Sequence, residues 1–348
     1  MRDSPAPGRP ARSNGAANGT STAMSRWWVP AMVVLCTGLF GLSYLAALAR
    51  PAPHRLPVAV VAPAPAADRI VGALRLGAPA AIDPHGYRSL REARSALLAR
   101  RVDGVLATGP AVDTLYVAQA AGPPIATVLE QVAGRLAAQR HVPLVVRDLV
   151  PLAGGDSSGL GLFYLVLACV LGGYVGTIMI MAHTGPMPAV QRTMQLAGTA
   201  ALCGAILVAL AHLVVGSDPL PMSAVAVAAL TVFAVAVCTW ALLAALGRLA
   251  VPVAIGLFVI LGIPSSGGAV PPSLLPGLYS TIGRWLPNGA AVSALRDMTY
   301  FPAASPTRPL LVLTGWAAIG LIGALIASMR RQRQAANHPA DNMRSGVA

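Results

Sequence analysis

The sequence predicts an all-α polytopic membrane protein of about six transmembrane helices, with a small extracytoplasmic α/β domain between helix 1 and helix 2. Three observations predict it. Of 348 residues, 55% are hydrophobic and 11% are charged, against roughly 25% charged in a soluble domain, whose surface could not be covered so sparsely. After Asp156 no charged residue occurs until Arg192, then none until Asp218, Arg248 and Arg284 in turn, which leaves apolar runs near the roughly 20 residues that a span needs. Between Arg50 and Asp156, by contrast, 12 Arg and 8 Asp or Glu interleave with short apolar runs.

Taken in order, residues 1–26 are rich in Ser, Gly, Ala, Pro and Arg and read as a disordered cytoplasmic tail. Trp27–Ala49 is the first span, opening on the interfacial pair Trp27–Trp28. It closes on Ala47-Leu48-Ala49, a cleavage-like signature, but the 23-residue length of this apolar run exceeds the roughly 7–15 of a signal core and favours a retained anchor. Residues 50–157 form the α/β domain. Leu56–Ala62, Gly104–Thr108, Thr114–Ala118 and Leu144–Val150 read as strands, Tyr87–Arg101 and Ala126–Arg140 as helices.

Residues 158–329 form a five-helix block, with spans near Gly159–Ala182, Met194–Gly216, Met222–Gly247, Leu249–Ile263 and Pro309–Met329; residues 330–348 are a second cytoplasmic tail. The fourth of these segments is short. Its 15 residues reach roughly 22 Å against a hydrocarbon core of roughly 30 Å, so it either crosses with help from the following segment or is re-entrant. With all six crossing and the N-terminus inside, 10 arginines flank the inner face and 3 the short outer loops; the re-entrant alternative gives 9 and 4. Both arrangements put residues 50–157 outside.

Composition excludes several function classes. The net charge of +13 is carried by arginine alone, since the chain has no lysine. That removes the GxxxxGK[ST] phosphate loop and the Schiff-base lysine; HExxH is absent as well. No enzymatic activity and no cofactor are expected. Cys36, Cys169, Cys203 and Cys238 lie within apolar runs without a CxxC pair, so neither a disulfide framework nor a metal site is expected. The arginines form no patch with interleaved aromatics, and nucleic acid is not an expected partner. All twelve acids lie outside the apolar runs, which argues against an ion-driven pump. Gly172, Gly173 and Gly176 make a small-residue face suited to helix packing on the second span. Asp103, Asp113, His85 and His141 sit at spacings that specify no chemistry.

The informative stretch is 262–301. Pro264 and the run Ser265, Ser266, Gly267, Gly268, followed by Pro271 and Pro272, interrupt a helix. Backbone groups freed there are tolerated at membrane depth only if buried in protein or lining a wet cavity. Two short apolar helices follow, about Ser273–Trp285 and Gly289–Tyr300, separated by Pro287-Asn288; neither is long enough to cross. With its low side-chain bulk the Pro264–Pro272 segment is a candidate outer gate, the alternative being a fixed turn.

The segments Pro264-Ser-Ser-Gly-Gly-Ala-Val-Pro-Pro and Leu286-Pro-Asn-Gly-Ala-Ala-Val-Ser-Ala-Leu-Arg resemble the C-terminal signature of the YhgE/Pip (phage infection protein) family, related to type-2 ABC transporter permeases. The layout is similar over nearly the whole chain, from the external domain opening on Leu56-Pro-Val-Ala-Val-Val to Asp156 before the second span. The external domain is shorter than in many relatives, so a phage-receptor role does not carry over. The resemblance implies a re-entrant element over 271–301, including Pro287, Asn288, Gly289 and Arg296. It also implies a permease half that works in membrane lipid, pairs as a homodimer or heterodimer, and exports cargo with a separate ABC ATPase subunit. His183, Arg192 and Arg248, on the inner loops, would contact that ATPase, unless the loop His183–Arg192 is a plain connection. The other class left open is a non-transporting membrane protein whose external domain serves envelope binding or assembly.

Overall fold

The computed structural model describes residues 19–49, 51–63, 66–215 and 220–336; the remainder of both tails and the expected end of the third span at Gly216 lie outside them. Five helices are long and apolar enough to cross a membrane: Pro30–Leu48, Gly161–His183, Ala189–Val214, Ala224–Leu261 and Thr307–Arg330. The first belongs to α1 (Gly19–Leu48), which starts eight residues before Trp27, so helix replaces the expected disorder over 19–26.

The α/β unit follows, in the order β1 (Leu56–Val61), α2 (Ala66–Gly77), β2 (Ile82–Gly86), α3 (Leu90–Leu98), β3 (Gly104–Thr108), β4 (Asp113–Val117), α4 (Pro123–Gln139) and β5 (Leu144–Asp148). Its sheet runs β2-β1-β3-β4-β5, parallel throughout except for the β3–β4 hairpin. Alternation along β1 sends Leu56, Val58 and Val60 toward α2 and α4, and Ala59 toward α3. The result is three layers with a core on each face of the sheet. β2 carries Pro84, which lacks the amide a central strand needs; its place at the edge removes that demand. α3 is started by Ser89, whose Oγ accepts from the Glu92 amide at 3.2 Å, half of a capping box.

The membrane part is built around α7 (Ala224–Leu246), and α5 (Gly161–His183), α6 (Ala189–Val215) and α11 (Thr307–Ala336) pack against it. Each approach is made by one glycine. A Cβ on Gly173 of α5 would lie 2.6 Å from the Val232 oxygen, on Gly204 of α6 2.6 Å from the Ala229 nitrogen, and on Gly320 of α11 2.7 Å from the Cys238 nitrogen. These are the close backbone approaches that small residues allow between apolar helices. The packing glycine of α5 is thus Gly173; Gly172 and Gly176 meet nothing within 4 Å, because they point off the α7 contact.

The 38-residue stretch Ala224–Leu261 doubles back on itself. Trp316 of α11 touches Cys238, whose Sγ donates to its carbonyl at 3.3 Å, and also stacks edge-on with Phe258 at 6.3 Å. Residues 238 and 258 therefore share one level, whereas 20 residues of straight helix would separate them by about 30 Å. Gly247, at φ 56, makes the reversal. The returning arm, α8 (Ala250–Ala254), continues as π-helix over Ile255–Leu261. It runs alongside α1 in the same direction: Arg248 lies over the Trp28 ring at 4.6 Å, and Ser43 Oγ donates to the Ile260 carbonyl at 2.6 Å.

Candidate functional site

The residues that interrupt the helix after Leu261 are buried from Gly262 through Gly268, and their loosened backbone groups find partners. The Asn288 amide donates to the Phe258 carbonyl at 3.0 Å, and Ser265 Oγ to those of Leu261 at 2.6 Å and Gly262 at 3.3 Å. The Gly268 amide donates to Ser266 Oγ at 3.2 Å, and the Arg296 guanidinium to the Gly267 carbonyl at 3.2 Å. Without them, each stranded carbonyl would cost about 1–3 kcal/mol. The segment is anchored sterically as well. Gly267 holds φ 73, and a Cβ there would lie 2.7 Å from Pro272, while one on Gly268 would lie 2.5 Å from Phe163. Pro264 and Pro271 are buried and Pro272 partly so.

Beyond it the chain makes a hairpin. α9 (Gly277–Gly283) leads to Trp285, whose carbonyl accepts from the Trp316 indole at 2.6 Å, and α10 (Pro287–Tyr300) returns. Pro287, Asn288 and Gly289 occupy its tip against Phe258 and Gly283, and α10 lies buried among α5, α7 and α11. Both arms emerge into the α/β unit. Leu274, on the entering arm, belongs to the core between the sheet and α2/α4; Phe301, on the leaving arm, belongs to the core under α3. The linker after α1 adds two bonds, Ala52 N to the Leu274 carbonyl at 3.2 Å and His54 N to that of Ser273 at 2.9 Å. The α/β unit thus grips the hairpin at both of its ends.

Charges concentrate at this seam. Arg100 pairs with Asp297 of α10 and lies 5.4 Å over the Phe301 ring. Arg100 has φ 54, the position after α3 where the Arg101 amide bonds the Ala96 carbonyl at 2.8 Å and its own bonds that of Leu97 at 3.0 Å. Glycine ordinarily fills that place. Asp156 caps α5 through the amides of Leu160 at 3.0 Å and Gly161 at 2.8 Å. Burial pushes the Asp103 carboxyl from 3.8 up to about 6, opposed by Arg100 and a hydrogen bond with Ser273. Burial, with Arg100 as a like-charged neighbour, lowers Arg296 from 12.5 to about 10, so it stays cationic at neutral pH.

A cavity of ≈ 540 Å³ opens at the seam, walled by the start of α4, the start of α5, the Gly268–Leu274 segment and Arg296. Gly122 lies beside it at φ 148, and a Cβ on it would fall 2.2 Å from Pro271. That glycine permits the contact between domain and hairpin, a role invisible in the sequence because its partner is remote.

The other expected positions lie apart. Arg192 is buried and ties the loop together through Thr184, Gln195 at 3.1 Å and the Gly185 carbonyl at 3.0 Å. His183 is exposed, with Nδ1 2.9 Å from the Met179 carbonyl, and Arg248 is exposed beside Trp28. Asp113 is fully buried at the start of β4, where its carboxylate accepts from the Gly109 amide at 3.2 Å and pairs with Arg140 at 3.5 Å. No cluster of metal-binding side chains occurs among the described residues. Comparison with family models, with curated proteins and with solved structures gives no match, so the likeness to the YhgE/Pip family rests on the quoted motifs alone.

Proposed function

We propose that this chain is the permease subunit of an ABC-type export system, moving an amphipathic cargo outward with a separate ATPase subunit. In this reading it lies in the cell membrane with six crossings and both termini cytoplasmic. The short arm Ala250–Leu261 is the fifth crossing, and two such halves pair to form the pathway. The observation that carries the reading is the hairpin 271–301, sunk among α5, α7 and α11 and gripped at both ends by the external unit. The non-helical run 262–268 that leads into it is buried and hydrogen-bonded, and in a membrane such backbone is tolerated only inside protein or along a wet cavity. The grip gives the external unit a direct hold on that element, and His183 and Arg248, exposed at the opposite ends of the spans, are left for the ATPase.

Isolation of the tagged chain from its own membranes tests this. The proposal expects an ATPase subunit to accompany it, with vanadate-sensitive turnover that amphipathic compounds stimulate. A chain that reproducibly purifies without an ATPase contradicts it.

A second reading, a non-transporting receptor of the cell envelope, is favoured by the position of the ≈ 540 Å³ cavity at the seam of the external unit. It predicts ligand binding with no ATPase partner.

A further inference from the structure

The cavity at the seam has an electrostatic peculiarity. Arg296 is 4% exposed and lines it. Among the described residues its side chain makes one hydrogen bond, to the neutral Gly267 carbonyl, and takes part in no ion pair. Asp297 and Asp156 act on it from beyond ion-pair distance, and their oxygens bond elsewhere, Asp297 to Arg100 and Asp156 to the α5 amides. A buried charge left unpaired is costly, and a protein normally supplies it a counter-ion. Here the guanidinium keeps donors to spare and faces a cavity instead. The remaining wall is mainly apolar, with Pro123, Val128, Pro271 and Leu274 among its residues, and Leu160 at its rim begins the apolar run of α5. A cavity of this size falls in the range of about 300–1,000 Å³ that takes small organic ligands.

The geometry points to a binding site for an anionic amphiphile, its carboxylate or phosphate head on Arg296 and its apolar tail against the proline-rich wall. The head would enter as the missing counter-ion, and the tail would reach the site from the lipid beside α5. The site does not depend on transport, so it stands or falls separately from the export reading.

Calorimetry on the full-length chain in phosphatidylcholine nanodiscs tests it, with decanoate, decanol and inorganic phosphate as probes. Decanoate should bind at least about tenfold more tightly than either, since decanol lacks the charge and phosphate the tail. Arg296→Gln, which keeps a donor for Gly267, should weaken decanoate at least about tenfold and leave decanol unchanged. Thr127→Trp, at an exposed position on the rim, should block decanoate without touching the guanidinium. Adding phosphatidylglycerol to the nanodiscs separates the sources: competition with decanoate assigns the head to a membrane phospholipid, and its absence to a free amphiphile. Equal binding of decanoate and decanol, phosphate binding as tight as decanoate, or unchanged decanoate binding in both variants overturns the proposal.

Discussion

Replacing Arg100 by glycine sets two effects of opposite sign against each other. Arg100 occupies a left-handed position, φ 54, and glycine there relieves roughly 1 kcal/mol of backbone cost. The same change removes the ion pair with Asp297, whose side chains are 24% and 9% exposed, and the contact with Phe301. Losing one partner of a buried pair costs about 3–5 kcal/mol. Arg100 keeps some solvent, and Arg296 remains near Asp297, so about 2–3 kcal/mol is the fitting range. The net loss is therefore about 1–2 kcal/mol of docking between the α/β unit and the hairpin. Hydrogen exchange over Leu97–Asp103 and Pro271–Leu275, read in nanodiscs, should then quicken about 5- to 30-fold. Arg100→Met, which keeps the backbone cost, should be the worse of the two. If glycine instead slows exchange, local helix termination is what matters at this position and the electrostatic grip is refuted.

Three further outcomes follow from the same seam and its surroundings. Asp103, raised to about 6, binds its proton more tightly folded than unfolded. Stability is then highest below pH 4 and falls by about 2 kcal/mol, allowing for partial exposure, as pH rises to 6. Asp103→Asn should raise the melting temperature at pH 7.5 and leave it unchanged near pH 4; equal effects at both would show that the carboxyl is not strained. Gly122→Ala meets Pro271 and an unfavourable φ, so it should expose the linker at residues 51–54 to protease while the membrane part stays folded. Resistance equal to wild type would contradict the steric account. In a background without native cysteines, Leu76→Cys should label from outside and His183→Cys only after permeabilisation; external labelling at 183 would remove the six-crossing arrangement.

Much of this architecture is legible locally. β3 coincides with the expected Gly104–Thr108, and β1, β4 and β5 fall within a residue or two of expectation because β-branched runs and turn residues bound them. α2 and β2 escaped, since an alanine-rich segment gives weak periodicity and Pro84 disguises an edge strand. The returning arm is visible as the short apolar run Leu249–Ile263, whereas Gly247 reads only as the end of the preceding span. Contacts between distant residues were not legible. Arg100 and Asp297 are 197 positions apart, and nothing near either announces the other. Likewise the choice of Gly173 over Gly172 and Gly176 depends on which way α5 faces α7.

The export reading is tested most directly by transport itself. Inside-out vesicles carrying the chain with its co-purified ATPase should take up a fluorescent anionic amphiphile when ATP is added. Uptake should be vanadate-sensitive and absent from vesicles lacking the chain. Uptake that is the same with and without the chain, or absent although the ATPase is bound and active, contradicts the account.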